Sequence, residues 1–369
     1  MARPAFTPIV EALPHIVPFI GPEAMERARV RPFRARLGAN ESSFGPSPRA
    51  LAIMRDAVDG NWMYADPENY ELRSAIAKFH GVSIDNVVIG EGIDGLLGLT
   101  CQLFVVAGDR VVMTEGAYPT FSFHVLAHGG KVVDCPMRDF KEDLPGMARL
   151  AQETGAKLIY VSNPNSPMGT WSTAADLAGW ISGLQKGTLL VLDEAYCDTA
   201  PVDTSPRIDV SNSQVVHYRT FSKAYGMAGA RIGYAIGHVD LIAAFNKVRN
   251  HYGINRIGQL GARAALADQA YRADVVGRIA RARDRISLIA TQHGLSALPS
   301  AASFVAIDCG HDGAFAKCVL DGLLKRDVFV RKPAVPPLDR FIRVSCGRDE
   351  DLDVFEQALP GALADARSR

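Results

Sequence analysis

From residue 86 onward, short apolar runs rich in β-branched residues alternate with longer segments of helical period. The runs are NVVIG (86–90), RVVMTEG (110–116), KVVDCP (131–136), KLIYVSNP (157–164), TLLVLDEAY (188–196), QVVHYRTFS (214–222) and ARIGYAIG (230–237). Between them the spacing predicts helices over 94–106, after Pro119, over 143–154 and over 173–184. Uninterrupted apolar strands need cover on both faces. The pattern therefore predicts an α/β fold with a mostly parallel central sheet flanked by helices. Beyond about residue 250 the rhythm changes: helical stretches at 255–269 and 271–294 precede SFVAIDCG (303–310), a helix near 312–326, DVFVRKP (327–333), FIRVSCG (341–347) and a final helix. This reads as a smaller α+β domain. Upstream, residues 1–36 show no period and read as an extended arm. Ser47 stands where it would cap a helix over 48–58, and 71–80 is helical with Leu72, Ile76 and Phe79 on one face. The expected division is an N-terminal arm over 1–45 that partly joins the small domain, a large domain over 46–252 and a small domain over 253–369.

Composition narrows the partners. The chain has 369 residues, 48% of them hydrophobic, with 40 basic and 40 acidic side chains. That balance gives no basic excess for nucleic acid or an anionic membrane surface. The apolar run at 96–108 falls short of the roughly 18 residues a spanning helix needs. The first residues lack the continuous apolar stretch of a signal peptide. Six scattered cysteines without a C-x-x-C pair read as reduced thiols, so a cytoplasmic protein is expected. No metal site is expected.

Polar residues gather at the ends of the apolar runs: EGID after one, SNPNS after another, then DEAY and FSK. In a parallel sheet those ends are where ligands bind. The densest cluster is RTFSKAYGMAGARIGY (219–234). It puts Ser222 directly before Lys223, small residues after them, and Arg231 eight residues beyond the lysine. A hydroxyl, a cation and a permissive backbone around one amine suit a phosphate held beside a lysine that forms an imine.

Six motifs occur in order: NESSFGPSP, GEGIDGLL, NPNSPMG, LDEAY, RTFSKAYGMAGARIGY and IRVSCG. Together they span nearly the whole chain. Their order resembles the class I/II aminotransferases among fold-type I pyridoxal-phosphate enzymes, and most of all the histidinol-phosphate aminotransferase group. The resemblance implies pyridoxal 5'-phosphate as cofactor. It also implies a ping-pong transfer from an amino donor (histidinol phosphate or an aromatic amino acid) to a 2-oxo acid such as 2-oxoglutarate. By the same resemblance Lys223 is the Schiff-base lysine, Asp193 pairs with the pyridine nitrogen and Tyr196 hydrogen-bonds the ring oxygen. Ser222, Arg231 and the backbone amides of Ile93 and Asp94 take the phosphate, and Phe121 stacks on the ring. Tyr64 reaches the neighbouring subunit's phosphate, which implies a homodimer. Arg343 and Arg331 meet the substrate's anionic groups, with Phe19 and Asn40 also on the substrate side.

Three departures stand out. Ser166 occupies the place of a second asparagine that donates to the ring oxygen. Phe19 lacks the hydroxyl of the usual tyrosine. Ala65 follows Tyr64 where a proline is common, and EGIDG replaces a more acidic turn. Two other readings share these motifs: a decarboxylase of the threonine-phosphate type, and a non-catalytic protein that keeps the cofactor fold.

Overall fold

A computed structural model describes residues 4–14 and 20–368. Seven strands form the central sheet in the spatial order Val87–Glu91, Ile232–Gly237, Val215–Thr220, Leu189–Asp193, Leu158–Ser162, Arg110–Thr114 and Lys131–Cys135. Ile232–Gly237 runs antiparallel to both neighbours and all other pairs are parallel. This is the sheet the apolar runs predict.

The two-residue period sorts the strands' side chains between two covered faces. Leu158, Tyr160, Leu189 and Val191 pack with Leu96, Leu97 and Phe121 from one layer of helices. Ile159, Val161, Leu190 and Leu192 pack with Met147 and Leu177 from the other. Most predicted helices form within two residues of their expected ends, including Gly92–Phe104, Leu144–Thr154 and Ala174–Ser182. Ser47 caps Pro48–Asp56 by accepting from the Ala50 N–H.

The second core lies around a three-stranded antiparallel sheet of Phe341–Ser345, Phe304–Asp308 and Ser296–Ala297. Helices Gln269–Gln292, Gly313–Lys325 and Asp349–Arg367 cover it. Helix Arg256–Ala267 instead places Ala262, Ala265 and Leu266 in a core of the large sheet. The chain thus passes between cores at Asp268, beyond the expected division near residue 252.

One local expectation is corrected. The arm is not extended throughout, because Pro8–Ala12 and Pro22–Arg29 are short helices. Each begins with proline, whose fixed φ and missing N–H suit the first helical position. The DVFVRKP run does not join the three-stranded sheet as a full strand. Val328–Phe329 pairs, in parallel, with Ala35–Arg36 of the arm, and Arg331 makes a single antiparallel bridge to Arg343, while Ala35 and Leu37 enter the small core. Proline at 333 has no N–H to continue a ladder.

Candidate active site

The carboxyl ends of the parallel strands open onto a cavity of about 310 Å³. Lys223 enters it from the turn after Val215–Thr220. Gly226 closes that turn by donating to the Lys223 carbonyl at 3.0 Å, in a left-handed conformation (φ 67°). Lys223 Nζ donates to the Asn40 carbonyl oxygen at 3.0 Å and lies 5.4 Å from the centre of the Tyr196 ring. Asn40 knits this side together. Its Nδ2 donates to Tyr196 Oη at 2.8 Å, and its Oδ1 accepts from the Ser345 hydroxyl of the small domain at 2.9 Å.

Asp193 ends strand Leu189–Asp193 on the same face as Val191 and is 4% exposed. Its Oδ2 accepts from Tyr160 Oη at 2.6 Å and its Oδ1 from the Ala195 N–H at 2.9 Å. Burial pushes its carboxyl up to about 6, against the opposing pull of the Tyr160 and Ala195 hydrogen bonds. It forms no ion pair among the described residues. Glu194, one residue on, turns to the opposite face. There it accepts from Arg219 Nε at 3.0 Å and faces His217 Nδ1 at 3.2 Å, and these partners outweigh burial to hold it at about 2.

The anionic end of the cavity is built from a helix start and the lysine loop. Ile93 and Asp94 lie in the first turn of Gly92–Phe104, where unpaired N–H groups concentrate. Gly92 has a positive φ of 72°, and a Cβ there would collide with the Arg231 guanidinium. Arg231 Nη2 donates to Asp94 Oδ2 at 3.4 Å, and Tyr118 Oη donates to Asp94 Oδ1 at 2.8 Å. Ser222 lines the same end, with its Oγ accepting from the Thr220 hydroxyl at 3.0 Å. Ser166 is also in the lining, on the loop after Leu158–Ser162.

Arg331 and Arg343 line a second cavity of about 360 Å³, together with Lys332, Ser122 and Asp134. Backbone hydrogen bonds of 3.1 and 2.7 Å hold the two arginines side by side. Arg331 Nη2 donates to the Ile20 carbonyl at 2.7 Å. Arg343 lies over the Phe304 ring at 5.0 Å, has a buried Nε without a partner, and pairs with no carboxylate among the described residues. Burial lowers its pKa.

One expected residue lies elsewhere. Phe121 does not line the cavity. Helix Pro119–Ala127 turns it onto the sheet, where it is fully buried and stacks on Tyr160 at 4.8 Å and 25°. Tyr118, the N-cap of that helix, supplies the aromatic ring at the cavity wall. Tyr64 is 81% exposed and packs tilted against the Tyr252 ring at 4.8 Å, outside the cavity of its own chain. Phe19 lies outside the described residues. Sequence reasoning passed over Tyr118, Ser162 and Thr220, all of which line the cavity. Ser162 was within reach of the strand-end rule, because it pairs directly with Asp193 in the ladder.

A family model described as aminotransferase class I and II matches residues 35–359. The chain belongs to that family. This aminotransferase is similar to a solved histidinol-phosphate aminotransferase from Sinorhizobium meliloti in complex with pyridoxal-5'-phosphate. The two are 47% identical, with 98% of each chain covered and a TM-score of 0.96. A histidinol-phosphate aminotransferase from Moorella thermoacetica is 32% identical over 333 residues, covering 89% of this chain and 85% of the relative. One from Symbiobacterium thermophilum is 34% identical over 333 residues, 89% of this chain and 91% of the relative. No helix among the described residues is long and apolar enough to cross a membrane.

Proposed function

We propose that this aminotransferase uses pyridoxal 5'-phosphate and moves the amino group of histidinol phosphate to a 2-oxo acid such as 2-oxoglutarate, in two half-reactions of ping-pong order. One observation carries the cofactor reading. Asp193 is a buried carboxyl whose hydrogen bonds among the described residues come from neutral donors, and a protonated ring nitrogen would supply the missing cation. The rest of the cavity fits the same group. Lys223 would hold it covalently through Nζ, Tyr196 and Ser166 would face its ring oxygen, and Ser222, Arg231 and the amides of Ile93 and Asp94 would face its phosphate. When bound, it supplies an electron sink for the pair left at the substrate's α-carbon.

The chain's own residues do the remaining work. Lys223 Nζ would take the α-proton and return it two atoms away, on the carbon beyond the transferred nitrogen, which requires a mobile amine held close. The Asn40 carbonyl and the Tyr196 ring fix where that amine rests. Asp193 keeps its negative charge on the ring side of the cavity. Arg343 and Arg331 bind the donor's anionic group, and Arg343 has no carboxylate partner among the described residues, which leaves its guanidinium available for that pairing. The names of the relatives support histidinol phosphate as the donor.

The working unit is a homodimer in this reading. The exposed Trp62 and Tyr64 support it, because neither lines the cavity of its own chain and Tyr64 packs beside a further exposed ring, Tyr252. Six cysteines without a disulfide support a cytoplasmic location. The test is a donor screen with 2-oxoglutarate that includes histidinol phosphate, phenylalanine and tyrosine. Fastest conversion of histidinol phosphate with stoichiometric glutamate is expected. Carbon dioxide release without amino transfer would refute the reading in favour of a decarboxylase.

A further inference from the structure

We propose that Tyr160 is a positioning residue that keeps Asp193 aimed into the cavity and ionised, and that Phe121 is the ring that pins Tyr160 in place. This rests on the reading of Asp193 as the partner of the cofactor's ring nitrogen. Tyr160 is 0% exposed, in the middle of strand Leu158–Ser162. The parallel ladder sets Ser162 opposite Asp193 and Tyr160 opposite Val191. The phenol therefore lies on Asp193's face of the sheet, one pleat earlier. Its hydroxyl donates to Asp193 Oδ2 at 2.6 Å, and the Ala195 N–H fixes the other oxygen. With both oxygens held, the carboxylate cannot rotate without breaking a buried hydrogen bond. Phe121, fully buried, lies nearly parallel to the Tyr160 ring and closes off its swing.

The electrostatics give the phenol a second task. Burial drives Asp193 toward its neutral form, and Asp94 pushes the same way, while Glu142 is itself pushed up to about 8 by burial, with the Asp193 charge adding to that rise. Lys223 opposes both as a cation, and Tyr218 is paired with Asp193 across the ladder. A hydroxyl donor stabilises the charged acceptor, so Tyr160 keeps Asp193 able to pair with a cation at lower pH than burial alone would allow.

The experiment measures the cofactor dissociation constant across pH, with the visible absorbance of the bound cofactor alongside, for wild type, Tyr160→Phe, Phe121→Leu and Asp193→Asn. A hydrogen bond to an ionised group is strong enough that Tyr160→Phe should weaken cofactor binding about tenfold. It should also move the low-pH limb of binding upward by about one unit. Phe121→Leu keeps the phenol and should shift both in the same direction by less. It carries the test if Tyr160→Phe does not fold. Wild-type affinity and an unmoved limb in Tyr160→Phe, with Asp193→Asn impaired, would overturn the role of Tyr160 alone. Wild-type affinity in Asp193→Asn would overturn the reading of Asp193 itself.

Discussion

Gly226→Ala tests whether the lysine turn owes its shape to the loop at residues 45–46. Gly226 has φ 67°, and a Cβ there would run into the Gly45 carbonyl group and lie 2.8 Å from the Pro46 nitrogen. Both obstacles are backbone and cannot swing aside as a side-chain tip would. The left-handed conformation costs an L side chain about 1–2 kcal/mol. Overpacking adds about 1–3 kcal/mol, so the total is roughly 2–5 kcal/mol. Relief requires the turn to move, and with it Lys223, whose Nζ bonds Asn40, five residues before Gly45. The assay is thermal melting of the apoprotein followed by cofactor titration, with Gly179→Ala as control. Gly179 is exposed within helix Ala174–Ser182, and a Cβ there would meet nothing within 4 Å, so alanine should stabilise by about 0.5–1 kcal/mol. Gly226→Ala should melt lower and bind cofactor more weakly. Melting and affinity equal to wild type would refute the packing argument.

Three further outcomes follow from the site. Arg343→Lys keeps the charge but loses the planar fork. It should lower kcat/KM for histidinol phosphate by about 10- to 100-fold with cofactor affinity unchanged, as steady-state kinetics would show. The folded carboxyl of Asp193 binds its proton more tightly than the unfolded chain does, moving from 3.8 to about 6, so its contribution makes the apoprotein less stable as pH rises through that window. Asp193→Asn should flatten that slope and stabilise the apoprotein above pH 6 by up to about 3 kcal/mol in urea unfolding, while losing cofactor affinity. In mixed dimers of Lys223→Ala with Tyr64→Ala, one of the two sites carries neither substitution if Tyr64 serves the partner's cavity. Activity should then exceed that of either parent, and no recovery on mixing would count against the shared site.

The fold was legible because burial on both faces leaves a coarse mark. Val191 and Leu192 are both apolar although they point to opposite layers, and only a doubly covered strand tolerates that. Asp193 and Lys223 were legible for a related reason: a charged residue at the end of such a run stands out. Tyr118 and Phe121 are three residues apart, and the sequence offers two aromatic rings with no rule for choosing between them. The choice depends on where helix Pro119–Ala127 begins, since the N-cap stays at the rim while the first inward position enters the core. The arm was misjudged for lack of period, yet in helices of five and eight residues a proline at the start decides more than any periodic face.

Ser166 shows why one departure from the family pattern need not disturb the site. The loop that carries it is fixed by its neighbours. Asn165 Nδ2 donates to Glu142 Oε1 at 2.8 Å, Asn165 Oδ1 accepts from the Met168 N–H at 3.1 Å, and the Asn165 N–H donates to the Thr170 carbonyl at 2.7 Å. The Ser162 N–H also donates to Glu142, and Ser162 Oγ accepts from the Ser166 N–H at 3.2 Å. Only the backbone of residue 166 takes part. Its side chain is therefore open to exchange without a change in loop shape, and a shorter hydroxyl alters what the cavity wall offers a ligand while leaving the wall where it is. Glu142, whose carboxyl burial pushes up to about 8, is the member on which the loop depends, and it lies in a segment that no motif marks. The residues that name the chemistry and the residues that hold it in place are thus different sets, and only the first left a pattern along the chain.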